Sequence, residues 1–242
     1  MNSVERHEAR YQRRKAKLKR NESLGTIEQV FNYRDMFLTG KKCCNNVRWK
    51  QSVQNFELHL FSGTAVRRRK VVEGTWKGSG YSHFMLSERG KIRPIDAPMI
   101  KDRQVHKILT NKVLYPLYQP SMIYDNGASQ VGKGLSFSFR RLKEDLRRHY
   151  RKYGREGYVV LIDLKSFFPS ASHDAIFKRH DEVIMDGRIR NLCDQIVRDF
   201  EKHTKSYIGM PLGVEPSQIE MVSLPSSADN FAKCQRSKKA FA

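Results

Sequence analysis

One carboxylate stands where a chain could use it. Asp163 directly follows Tyr158, Val159, Val160, Leu161 and Ile162, an unbroken apolar run with Gly157 before it. Such a run, rich in β-branched residues, reads as a buried strand. A strand that delivers an acid at its end fixes a hard oxygen ligand for a cation. The same position equally suits an acid that caps a turn or a helix. Phe167 and Phe168 come next, and Pro169 ends the regular structure.

Two further stretches hold groups of chemical interest. In GKIRPIDAP, Gly90 to Pro98, Gly90 suits a hairpin turn and Ile92 and Ile95 can point inward. Lys91 and Arg93, two apart, share the opposite face of an extended segment. Two cations on one face make a clamp for a triphosphate. They equally make ordinary surface charge on an edge strand. In GMPLGVEPSQ, Gly209 to Gln218, a turn rich in Gly and Pro opens a helix, with Ser217 as a candidate N-cap.

The elements that must position these groups are mostly helical in pattern. A short amphipathic helix is expected from Ile27 through Phe37, ended by Gly40. A second is expected over Val47 to Phe61, where Trp49, Val53, Phe56 and Leu60 recur on one face as core. The run Arg67 to Lys70 is a solvated face or part of a nucleic-acid path. Residues 71–98 read as short strands and turns, with Phe84 and Leu86 alternating. Asp102 to Leu117 reads as a helix with Val105, Ile108, Leu109 and Val113 inward. Tyr124 to Gly134 is a loop without the order of a phosphate loop. Ser136 to Tyr153 reads as a basic amphipathic helix, Phe139, Leu142, Leu146, Tyr150 and Tyr153 packing and the Arg and Lys residues facing out. His173 to His180 and Ile189 to Phe200 continue helical patterns.

Composition narrows the function classes. Forty-six Lys and Arg against 25 Asp and Glu leave a net charge of +21. An excess that large repels itself unless something anionic is near, and nucleic acid is the leading partner, with an anionic membrane surface second. Eight of the first 20 residues are Lys or Arg, so the N-terminal arm is a frayed solvated segment, a phosphate contact, or both. No stretch of 18 apolar residues occurs, and the N-terminus lacks the apolar core of a signal peptide, so no membrane span is expected. Cys43, Cys44, Cys193 and Cys234 lack the paired spacing of a zinc site, and reduced thiols in the cytoplasm are the plain reading.

The order of the three stretches resembles the reverse transcriptase family, specifically the bacterial and phage-borne RNA-directed DNA polymerases related to group II intron, retron and diversity-generating enzymes. GKIRPIDAP followed by DRQVHK looks like the family's fingers block. IDLKSFFPSASH looks like its first palm aspartate motif, and GMPLGVEPSQ like its Gly-rich palm motif. The resemblance covers roughly residues 85 to 231. It implies an α+β fold, with right-hand polymerase fingers and an incomplete palm whose antiparallel sheet packs with helices. The expected parts are a basic, helical N-terminal arm at 1–24, a fingers-like region at 25–156, a partial palm at 157–231 and a basic tail at 232–242.

The resemblance also implies chemistry. Deoxynucleotides would be added to a DNA primer on an RNA template by two-metal phosphoryl transfer, with Mg²⁺ as the usual ion. Asp163 would be the catalytic metal ligand, assisted by the backbone carbonyl of Leu164. Phe168 would exclude a ribose 2′-hydroxyl, Arg93 and Lys91 would hold the triphosphate, and Pro211, Gly213 and Gln218 would shape the surface against the new base pair and template. Leu212 stands where many members carry Gln. The family's Tyr-x-Asp-Asp motif and its thumb do not follow before Ala242, and no Asp-Asp pair occurs. Asp229, the nearest aspartate after the Gly-rich motif, falls inside the expected helix. The expectation is therefore a truncated product, weakly active or inactive alone. The alternative is a non-catalytic module that binds RNA or RNA–DNA hybrid.

Overall fold

Asn32 splits the first expected helix in two. The computed structural model describes residues 5, 8, 9, 11–13, 24–88 and 90–233. Of the N-terminal arm, described residues 5, 8, 9 and 11–13 are helical and Leu24 lies in a turn; the rest of it, and the tail beyond Lys233, lie outside the described residues. Helix α1 is only Ile27–Val30, and the Asn32 side chain then accepts a hydrogen bond from the Asp35 N–H at 2.9 Å, starting α2, Tyr33–Cys43. Gly40 does not end α2. A Cβ there would lie 2.5 Å from Leu60 Cδ1 and 2.9 Å from Gln104 Nε2, so this glycine permits close helix packing. The second expected helix is also divided, into α3, Gln51–Leu58, and α4, Leu60–Val72, with His59 off helical geometry between them. Val53, Phe56 and Leu60 are buried as expected. Trp49 precedes α3 and is 75% exposed, so it is not core.

The sheet is a single antiparallel hairpin among the described residues. Strands β1, Tyr81–Glu88, and β2, Lys91–Pro98, pair from Tyr81 with Pro98 to Glu88 with Lys91. Gly90 takes φ +76 in the turn, as its position required. The hairpin base is pinned by carboxylates from two helices. Asp102 accepts from the Ser79 N–H at 2.8 Å, and Asp199 from the Gly78 N–H at 2.7 Å. Helix α5, Ile100–Leu109, runs through a π-helical segment, Thr110–Leu114, into α6, Tyr115–Tyr118. Its expected apolar face is buried.

The remaining elements are α7, Leu135–Tyr153, α8, His173–Val183, α9, Gly187–Thr204, α10, Glu215–Ser223, and α11, Ser226–Phe231. The main core joins α1, α5 and α9 through residues such as Ile27, Val105, Leu109, Ile189 and Ile196. A second cluster holds Ala171, Ile176, Val197, Met210 and Met221. A third holds Cys44, Val53, Phe56 and Leu60. The class is thus mixed, mostly helical with one small antiparallel sheet. No helix of the described residues is long and apolar enough to cross a membrane.

Two expectations fail together. Tyr158 to Ile162 is not a buried strand: it forms no ladder, and its residues are 70–101% exposed. A strand exists only with a partner, and the hairpin, the one sheet among the described residues, lies elsewhere. The stripe of α7 is helical as expected but does not pack, because Phe139, Leu142, Leu146 and Tyr150 are exposed.

Candidate nucleic-acid interface

Three stretches far apart in sequence meet around the Gly-rich turn. Its first half is stitched to the segment after Asp163. The Gly209 N–H donates to the Ala171 carbonyl at 2.8 Å, and the Met210 N–H to the Phe168 carbonyl at 2.9 Å. Ser172 and Ile208 form an isolated antiparallel bridge. His173, buried, sets its Nε2 2.7 Å from the Gly209 carbonyl, which accepts. Gly209 has φ +101, and a Cβ there would stand 3.2 Å from the Pro169 carbonyl oxygen, so the stitch requires glycine. Phe168 is half-buried, edge-on to Phe167 at 6.2 Å, and packs on the second core cluster.

The second half of the turn faces the hairpin. Gly213, φ +93, faces Ile95: a Cβ added there would meet the Ile95 Cγ2 at 3.4 Å, and both residues line one cleft. Alternation along β2 puts Lys91 and Arg93 on the same face as Ile95, not opposite it as expected, because 91, 93 and 95 share parity; of the two isoleucines only Ile92 lies on the other face. Both cations are exposed, and Arg93 makes a loose pair with Glu88 at 3.4 Å. The Lys107 ammonium donates to Glu215 at 2.8 Å, tying α5 to the first turn of α10. Pro211 is buried and Gln218 is exposed on α10. Ser217 is not the N-cap. Helix α10 already starts at Glu215 with Pro216 in its first turn, which leaves Ser217 buried inside it.

Asp163 stands apart from this assembly. It is exposed in an extended segment and makes no hydrogen bond or ion pair with the described residues. Leu164, beside it, is 54% exposed. No group of three or more His, Cys, Asp or Glu side chains converges as a metal site among the described residues. One exposed carboxylate and one backbone carbonyl do not fit a pair of Mg²⁺ ions, which need several fixed oxygen ligands each.

Sequence reasoning missed the residue that braces the turn from behind. His180, fully buried on α8, sits 2.7 Å from Asp194 on α9 and 3.1 Å from Glu220 on α10. Burial alone would push its imidazole down, but the hydrogen bonds to Asp194 and Glu220 outweigh burial and raise it to about 9. It is therefore a buried cation between two carboxylates. A signal was present: His180 falls in the apolar stripe of α8, four residues after Ile176 and three before Val183.

The basic residues divide by role. Arg67 donates to Gln104 at 2.6 Å and stacks over Phe56, and Arg68 donates to the Phe31 carbonyl at 2.9 Å. Half of the Arg67 to Lys70 run thus holds helices together and does not face a ligand. Arg141 anchors α7 to Asp125 at 2.6 Å. Lys143, Arg147, Arg148 and Arg151 remain exposed along α7.

The chain matches no protein-family model and no curated protein.

Proposed function

We propose that this chain is the template- and primer-binding part of an RNA-directed DNA polymerase, its fingers and the first portion of its palm. The observation that carries the reading is the meeting of three stretches at one place. Gly213 and Ile95 of the hairpin line one cleft, and Gly209 and Met210 are hydrogen-bonded to Ala171 and Phe168. In this reading Lys91 and Arg93 approach the triphosphate of the incoming deoxynucleotide. Phe168 lies beneath its sugar, and Pro211, Gly213 and Gln218 border the base pair. The exposed cations of α7 track the phosphate backbone of the template–primer duplex.

The described residues do not supply the ligands that two metal ions need. The chain by itself then binds template–primer but extends it weakly or not at all. An RNA-templated primer-extension assay with Mg²⁺ tests this, run beside hybrid binding by fluorescence anisotropy. Asp163→Asn is expected to leave binding within about twofold, because a single exposed side chain contributes little. Robust synthesis abolished by Asp163→Asn would refute the weak-catalysis proposal. A second reading, a non-catalytic RNA or hybrid binding module, is favoured by the isolation of Asp163. It predicts binding with no extension under any condition, including with further polypeptide added.

A further inference from the structure

A cleft of about 370 Å³ opens beneath the hairpin, on the side of Gly213 toward α2 and α5. That volume suits a small molecule, since such sites run from roughly 300 to 1,000 Å³. One wall is apolar, built from Phe84 and Ile95 on the hairpin. The opposite wall carries Lys42, Arg103 and Lys107. None of Lys91, Arg93 and Asp163 lines it. Glu215 is the one carboxylate on its rim, and it is already paired with Lys107. Three cations against one acid leave the wall positive, so an anion is the complementary ligand.

His106 makes the cleft more than a basic patch. It lines the cleft, is buried to 4% exposure, and its Nδ1 has no hydrogen-bond partner. A buried polar nitrogen left unpaired costs stability and calls for an explanation. Burial, with Arg103 nearby, pushes this imidazole down to about 3, so it adds no charge to the cleft at pH 7.

We propose that this cleft holds one nucleoside phosphate, its phosphate on Lys42, Arg103 and Lys107 and its base along Phe84 and Ile95. An apolar wall facing a cationic one fits a heterocycle joined to a phosphate, and fits neither free phosphate nor a purely apolar ligand as well. The ligand is a free nucleotide or one unpaired unit of a strand; the chemistry recognised is the same. The site goes beyond the polymerase reading, because it lies off the Lys91 and Arg93 pair and asks nothing of Asp163.

The test uses the full chain and isothermal titration without added metal. The probes are adenosine 5′-monophosphate, inorganic phosphate, adenosine and a single-stranded hexaribonucleotide. Adenosine monophosphate should bind saturably and about tenfold tighter than phosphate or adenosine, since each half supplies a share of the affinity. Lys42→Glu, at an exposed position, should weaken the monophosphate and phosphate alike by about tenfold. Phe84→Ala should weaken the monophosphate and leave phosphate unchanged. Binding of the hexanucleotide alone, weakened by both variants, assigns the site to a strand unit and also supports the proposal. Monophosphate and hexanucleotide binding that ignores both variants, or the absence of any binding in folded protein, overturns it. Primer extension and its failure are read separately with Asp163→Asn, which should leave monophosphate binding unchanged.

Discussion

His180 joins three helices through one proton. Its ring lies between Asp194 and Glu220, with Cys193 and Tyr118 buried nearby and Glu220 acting on both. The folded protein raises this imidazole from 6.5 to about 9. A raised value means that the folded state holds the proton more tightly than the unfolded chain. The stabilisation is therefore complete below pH 6.5 and is lost as pH rises through about 9. Thermal melts across that range should show a falling midpoint, and His180→Gln should remove most of the fall. Parallel pH profiles for the two proteins would show that the proton is not held there. Because Glu220 belongs to the helix that follows Gly213, the same proton steadies the Gly-rich turn.

Helix α7 and the segment after it separate what a sequence pattern can show from what it cannot. Phe139, Leu142, Leu146, Tyr150 and Tyr153 recur at helical spacing, and the helix is there. Periodicity says that a helix has an apolar face, and nothing in it says which element covers that face. The same limit applies to Tyr158 to Ile162, where β-branched residues suit a strand but the ladder partner must come from elsewhere. Local signals did better: Gly90 at the hairpin turn and the buried face of α5 both stand as the pattern required. The meeting of the Gly-rich turn with Pro169 and its approach to Ile95 had no local signal, because the partners lie some 40 and over 100 residues away. Hydrogen exchange tests the element directly. Amides of Val159 to Ile162 should exchange at the rate of an unstructured peptide, and Leu142→Gln with Leu146→Gln should shift stability by no more than about 0.5 kcal/mol. By contrast, Ile176→Ala in the second core cluster should cost about 2–5 kcal/mol. Slow exchange in 159–162 would mean that the segment is paired in solution.

At the scale of the whole molecule the charge of +21 overstates what reaches a ligand. Arg67 and Arg68 serve the interior, and Arg141 holds α7 to Asp125. Binding to an RNA–DNA hybrid should fall steeply as salt rises, and the slope reflects how many phosphates the protein neutralises. Replacing Arg147 and Arg151 together by Ala should reduce that slope by about 1–2, at up to about 0.9 for each phosphate no longer neutralised. Arg68→Ala should leave the slope unchanged and lower the melting temperature instead. A slope indifferent to the α7 pair would place the duplex on another face.

The packing of α2, α4 and α5 has a consequence in time. Gln104 donates to the Met36 carbonyl at 2.7 Å and to the Thr64 hydroxyl at 2.9 Å, while accepting from Arg67. Every partner of that hub, and every residue of the third core cluster, lies between residues 36 and 104. A nascent chain emerging from the ribosome holds this whole unit before the Gly-rich turn has been synthesised. The hairpin and the cleft beneath it are then left open on one side until Gly213 arrives.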